Sequence, residues 1–147
     1  MLFLQRFHFK ETMPEIFHEL VFHLVFATKD RSPLITPPIQ RLLFSQFRHV
    51  CETLHGDLHE IGGTEDHVHI LLSLRPSHRL DIVVDNLKNS GAEMINKLAL
   101  GQPLEWEDGY GVLSLRNKDI EIVSEYIRTQ KERHQKGDLI GKMERTK

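Results

Sequence analysis

Cysteine is almost missing. Cys51 is the only one in 147 residues, so no disulfide can form within the chain. A lone thiol fits a reducing compartment and reads as a small apolar group packed in a helix. Tyrosine occurs twice, so chemistry that needs a phenol has two candidates, Tyr110 and Tyr126. No stretch approaches the roughly 18 consecutive apolar residues of a membrane span. The apolar start, Met1-Leu2-Phe3-Leu4, is too short for a secretory signal, and a cytoplasmic location is expected. Neither sign of charge dominates. Nineteen Lys and Arg against 21 Asp and Glu give a net charge of −2. That argues against a broad polyanion binder but leaves room for a local basic site. Internal repeats and low-complexity segments are lacking too.

Histidine, by contrast, is plentiful, with ten residues. Two of them stand in Asp66-His67-Val68-His69-Ile70-Leu71-Leu72, an apolar run that follows the turn-rich Gly62-Gly63-Thr64-Glu65. Such a run reads as a strand. Alternation puts Val68, Ile70 and Leu72 on one face and His67 and His69 on the other, where two imidazoles can converge on one divalent ion. His-x-His also arises by chance, and it serves other chemistries that the neighbouring residues exclude. A histidine-triad hydrolase would want a third histidine at Leu71. A cupin-like site would want a glutamate where Ser73 and Leu74 stand. A zincin would need His-Glu-x-x-His, which is missing. The pair needs partners from elsewhere in the chain.

The order of elements supplies a frame. Residues 1–12 read as an N-terminal appendage. A strand is expected over 20–27, ending at the basic turn Thr28-Lys29-Asp30-Arg31-Ser32-Pro33. Pro37-Pro38 opens a helix whose apolar positions are Leu42, Leu43, Phe47, Val50 and Leu54. Strands follow over 58–63 and 67–74, then a helix over 80–98 with Ile82, Val83, Leu87, Met94, Ile95 and Leu98 facing inward. Ser90-Gly91 inside it implies a close backbone approach. A strand over 109–115 and one helix from 118 to about 136 complete the domain, with Asn117 as N-cap. In that helix Ile120, Val123 and Ile127 point inward, and Ile122, Tyr126 and Gln130 form an i, i+4, i+8 stripe beside them. Residues 137–147 read as a polar, mobile tail. The pattern βαββαβ is that of a ferredoxin-like α+β domain, an antiparallel sheet with helices on one face plus a C-terminal helix.

On this frame the chain resembles the single-tyrosine His-hydrophobic-His transposases of the IS200/IS605 type, including their palindrome-associated relatives. The matching stretches are Phe22-His23-Leu24-Val25-Phe26-Ala27-Thr28-Lys29-Asp30-Arg31, Ile61-Gly62-Gly63 leading to Asp66-His67-Val68-His69-Ile70-Leu71, Leu87-Lys88-Asn89-Ser90, Trp106 with Gly109-Tyr110-Gly111-Val112-Leu113-Ser114, and Val123-Ser124-Glu125-Tyr126-Ile127-Arg128-Thr129-Gln130. They run in the family's order over roughly residues 14–136, the span of a single catalytic domain at 13–136. Two departures stand out: Glu132-Arg133-His134 where many relatives carry Glu-His-His, and Ser114-Leu115-Arg116 where many carry Ser-Val-Ser.

The resemblance implies chemistry that these residues can perform. Cleaving a DNA phosphodiester needs an oxygen nucleophile and a means of stabilising charge on the phosphate. His67 and His69 would hold a divalent ion, Mg²⁺ or Mn²⁺, with Gln130 as candidate third ligand. Tyr126 would attack phosphorus, release a 3′-hydroxyl and leave a 5′-phosphotyrosine. Lys29, Arg31, Lys88, Arg128 and Lys131 are candidate phosphate contacts, joined by Arg116 and Arg133. The implied partner is single-stranded DNA with hairpin ends. The resemblance also implies a homodimer in which the helix bearing Tyr126 crosses to the neighbour's histidine pair. A site closed within one chain would use the same residues. A host-retained processing nuclease for palindromic repeats and a catalytically silent nucleic-acid-binding module are the alternatives.

Overall fold

The computed structural model describes residues 14–147, so the expected appendage over 1–12 lies outside the described residues. The sheet is built from β1 (Val21–Ala27), β2 (Asp57–Gly63), β3 (His67–Ser73) and β4 (Gly111–Leu115). Its spatial order is β2-β3-β1-β4, and every neighbouring pair is antiparallel. Two helices, α1 (Pro37–Thr53) and α2 (Leu80–Lys97), connect these strands. This is the expected ferredoxin-like α+β arrangement.

The first face of the sheet carries the main core. Phe22, Leu24 and Phe26 of β1 stand opposite Leu72, Ile70 and Val68 of β3. Leu43, Phe47, Val50 and Cys51 of α1 and Val83, Val84, Leu87 and Ile95 of α2 pack on this face. The buried stripes differ from the expected ones at their margins. Leu42, Ile82 and Leu98 are exposed, and Phe44 and Val84 take up core positions instead. An isolated apolar residue beside a stripe can face water at little cost. At Gly91 a Cβ would press on Leu43 and Phe47, so the close helix approach expected at Ser90-Gly91 is present.

The second face is covered by the C-terminal part of the chain. Here one long helix was expected, and the structure has two, α3 (Ile120–Arg128) and α4 (Gln130–Lys136), after a short 3₁₀ turn at Asn117–Asp119. The break falls at Thr129, whose hydroxyl bonds back to the Glu125 carbonyl at 2.8 Å. Threonine side chains that bond a preceding carbonyl disturb a helix in this way. Val123 and Ile127 of α3 meet Val21 and Leu71 of the sheet in a second, smaller apolar cluster. The helix comes so close to β2 that a Cβ on Gly62 would collide with the Ile127 carbonyl oxygen. Ile122 does not share the stripe of Tyr126 and Gln130: it is 70% exposed, whereas they are buried. With both faces covered, β3 is buried almost throughout, which explains why its sequence is a near-continuous apolar run.

The expected mobile tail packs back onto this second face. Gly137 ends α4 in a left-handed conformation, φ 68°. The chain then returns over β4, where Gly111 leaves room for the Arg145 carbonyl oxygen that a Cβ would strike. A 3₁₀ turn at Gly141–Met143 sets Met143 against the smaller cluster and delivers Glu144 to the histidines.

Candidate active site

Strand alternation puts His67 and His69 on the second face, where both are almost wholly buried and their ring centroids lie 5.0 Å apart. Their Nε2 atoms converge. Glu144 Oε2 lies 3.2 Å from His67 Nε2 and 3.3 Å from His69 Nε2. The ligand atoms of His67, His69 and Glu144 lie within 4.8 Å of one another. His134 Nε2 stands 3.4 Å from the same carboxylate oxygen.

The far sides of the two imidazoles are held differently. His67 Nδ1 meets Asp66 Oδ1 at 2.7 Å and Thr64 Oγ1 at 2.9 Å, and the Thr64 hydroxyl donates to that carboxylate at 3.1 Å. His69 Nδ1 meets His23 Nε2 of β1 at 2.8 Å. His69 Nε2 is close to Glu144 but out of line with it, and no hydrogen bond satisfies it. A buried nitrogen without a partner, beside a second imidazole and a carboxylate, is the donor set of a divalent-cation site. The residues present therefore fit a metal ion.

Tyr126 is 2% exposed, and its hydroxyl donates to Glu144 Oε1 and accepts the Ile140 N–H at 3.1 Å. Its ring lies 6.2 Å from that of His69, and the Arg133 guanidinium stands over its face at 4.8 Å. Gln130 is 1% exposed. Its amide oxygen lies 3.3 Å from His67 Nε2 and accepts from His134 at 3.0 Å, and its amide nitrogen donates to Glu144 at 3.1 Å. Within one chain, Tyr126 and both histidines thus converge on the Glu144 carboxylate.

Electrostatics separates the imidazoles. Burial pushes His23 down to about 3, aided by His69. Burial also lowers His69, against the pull of Glu144. For His67 burial works downward as well, but its hydrogen bonds to the Glu144 and Asp66 carboxylates outweigh it and the pKa is raised. Burial disfavours the Glu144 carboxylate, yet contacts with His67, His69 and Tyr126 prevail and hold it well below the usual carboxylate range. Burial and the Glu144 contact both raise Tyr126.

The expected phosphate contacts separate into two groups. Arg31 and Lys131 line a cleft of about 490 Å³ that opens beside His67, together with Thr64, Glu65, Asp66, His134 and Gln135. Arg31 pairs there with Asp66 at 3.4 Å. Exposed Lys29 pairs with Glu105 at 3.2 Å, and exposed Arg128 with Glu60 at 3.3 Å. Lys88 stands apart from these four. It is buried, and its ammonium donates to the carbonyls of Glu107 at 2.8 Å and Gly109 at 2.6 Å. It ties α2 to the loop before β4, which takes up two of its three N–H donors. Of the two further arginines, Arg116 is taken up by Asp119 at 2.9 Å, and Arg133 by Thr129, Asp138 and the Tyr126 ring.

Sequence reasoning missed His23, Asp66 and Glu144. His23 carried a signal: it sits in an apolar strand at the parity opposite to Phe22, Leu24 and Phe26. Asp66 was marked only by adjacency. Glu144 sits in a polar tail and carried none.

A sequence model of the family described as "Transposase IS200 like" matches residues 16–130. A crystal structure of a candidate transposase from Deinococcus radiodurans R1 superposes with a TM-score of 0.66 at 24% identity, over 80% of this chain and 95% of that one. The structure of a REP-associated tyrosine transposase bound to a REP hairpin gives 0.61 at 13% identity, over 86% of this chain and 76% of that one. At these identities the likeness is one of fold. No curated protein matches the sequence.

Proposed function

Since the chain belongs to the IS200-like transposase family, we propose that it cleaves and rejoins single-stranded DNA through Tyr126 at a divalent-ion site on His67 and His69. One observation carries this reading: the Tyr126 hydroxyl and the Nε2 atoms of both imidazoles meet on a single carboxylate, Glu144. A nucleophile and a cation site that share one anion can share a phosphate in the same way.

His67 and His69 would hold the ion, Mg²⁺ or Mn²⁺, with the oxygens of Gln130 and Glu144 as further donors. When bound, such an ion supplies Lewis-acid stabilisation of charge on the phosphate. The remaining work falls to the chain. Tyr126 oxygen gives up its proton and forms a bond to phosphorus, the bond to the 3′-oxygen breaks, and the 3′-oxygen takes up one proton in place of the one the phenol lost. The 5′-phosphotyrosine left behind keeps the bond energy, so rejoining is the reverse reaction. α3 fixes the tyrosine over the sheet, and Arg133 stacks on its ring. Glu144 would complete the site in the absence of DNA, and an entering phosphate would take the place of this tail carboxylate. Arg31 and Lys131 flank the cleft through which a strand would reach His67.

The substrate is read as single-stranded DNA with a hairpin end, in keeping with the hairpin held by one structural neighbour. A homodimer remains part of the proposal, but the site itself is read as closed within one chain. The test is cleavage of hairpin-bearing single-stranded oligonucleotides from both flanks of the gene, with Mn²⁺. Wild type is expected to give a covalent adduct that is absent in Tyr126→Phe. An adduct that persists in Tyr126→Phe and vanishes in Tyr110→Phe overturns the assignment. A mixture of a His67→Ala/His69→Ala chain with a Tyr126→Phe chain is expected to stay inactive. Recovered cleavage would mean a site shared between two chains. Undiminished wild-type cleavage in excess chelator would remove the metal. A host-retained nuclease would cleave without matching hairpin ends beside its gene.

A further inference from the structure

His23 is a costly residue for its position. It lies on β1 opposite Leu71, two residues along the ladder from the Val25–His69 pair, on the face where Val21 belongs to the smaller apolar cluster. It is fully buried, and an aliphatic side chain would fill the space without desolvating two ring nitrogens. Among the described residues its one side-chain hydrogen bond joins Nε2 and His69 Nδ1, at 2.8 Å, between rings inclined by 20°. His23 Nδ1 has no partner among the described residues.

A neutral imidazole carries one N–H and one lone pair. The bond between the two rings can therefore run in only two directions. If His23 donates, the His69 proton sits on Nε2 and points into the space shared with His67 and Glu144. That nitrogen is then no ligand, and its proton finds no aligned acceptor. If His69 donates from Nδ1, its Nε2 lone pair faces the shared space. His67 reaches the same state through Asp66, which accepts at its Nδ1. The buried ring has no carboxylate behind it, and His23 stands where one would be.

We propose that His23 is a positioning residue: its Nε2 accepts the Nδ1–H of His69 and so keeps the His69 Nε2 lone pair on the bound divalent ion. This rests on the divalent-ion reading above. Partners of this kind fix the tautomer and orientation of a ligand imidazole, and losing one typically costs about 10–100-fold in metal affinity.

The experiment measures Mn²⁺ binding by calorimetry, without DNA, on the whole chain. The set is wild type, His23→Leu, His23→Gln and the double variant His67→Ala/His69→Ala, each checked for cooperative unfolding. His23→Leu fills the space without an acceptor and is expected to bind about 10–100-fold more weakly. His23→Gln offers an amide oxygen near the place of Nε2 and is expected to recover most of the loss. His23→Leu binding as tightly as wild type overturns the proposal, as does His23→Gln binding no better than His23→Leu. Wild type binding no better than the double variant overturns the divalent-ion reading and this inference with it. Nitrogen-15 NMR of the wild-type protein loaded with Zn²⁺ gives an answer even if His23→Leu does not fold. A His69 proton on Nδ1 supports the proposal, and one on Nε2 overturns it.

Discussion

The two faces of the sheet are built on different terms. Under α1 and α2 the contacts are mainly apolar, with Phe26, Phe47 and Trp106 in edge or tilted contact and Leu24, Ile70 and Leu87 fully buried. Under α3 and the tail, four buried apolar residues hold the rim of a polar centre that contains His23, His67, His69, Gln130 and Glu144. The first face gains its stability from area removed from water. The second buries polar atoms, each of which needs a partner, and it retains two nitrogens without one. The larger apolar cluster lies on one face and the proposed chemistry on the other.

Substitution can break that division. Phe47→Ala empties the centre of the first face and is expected to cost about 3–5 kcal/mol in urea unfolding, while Mn²⁺ affinity of the folded fraction stays unchanged. A matching loss of affinity would show that the faces are coupled. His67→Ala is expected to leave cooperative unfolding in place and to lower cleavage by roughly 10²–10³-fold. An intermediate case sharpens the comparison. Gly62→Ala forces α3 away from β2 at the Ile127 carbonyl. It should cost about 1–3 kcal/mol and also reduce adduct formation, because Tyr126 rides on the displaced helix. Normal cleavage in a destabilised Gly62→Ala would mean that α3 need not sit where it does.

Smaller effects probe the polar centre alone. The raised pKa of His67 reflects a proton held on the imidazole between Asp66 and Glu144. Ion binding must displace that proton. Mn²⁺ affinity is therefore expected to rise with pH through the His67 pKa, above 6.5, and to weaken as pH falls below it. Affinity that is flat across this range would count against His67 as a ligand. Glu144→Ala is expected to lower Mn²⁺ affinity in the absence of DNA by about tenfold, the size of one modest oxygen contact. It is also expected to tighten binding of a hairpin-bearing single strand at one fixed salt concentration. Weaker DNA binding would contradict displacement of the carboxylate by phosphate.

By itself the sequence determined the alternation that puts His67 and His69 on one face, the βαββαβ order and the nomination of Tyr126 and Gln130. These are local matters: strand parity and helix spacing act within a few residues, where side-chain direction follows from the backbone. Its errors lay at the margins of that logic. Ile122 has the helical spacing of a buried residue but faces water, and Thr129 breaks a helix that spacing alone would continue. The tertiary structure decided the rest. Pairing of β1 with β3 brought His23 to His69. The turn after Gly137 carried Glu144 from a segment without apolar pattern into the centre of the site. Lys88, basic in sequence, became a buried tie once the loop carbonyls of Glu107 and Gly109 closed on it. Hydrophobic patterning encodes which face of an element is covered, whereas polar contacts between distant segments depend on distances that exist only after the chain has closed.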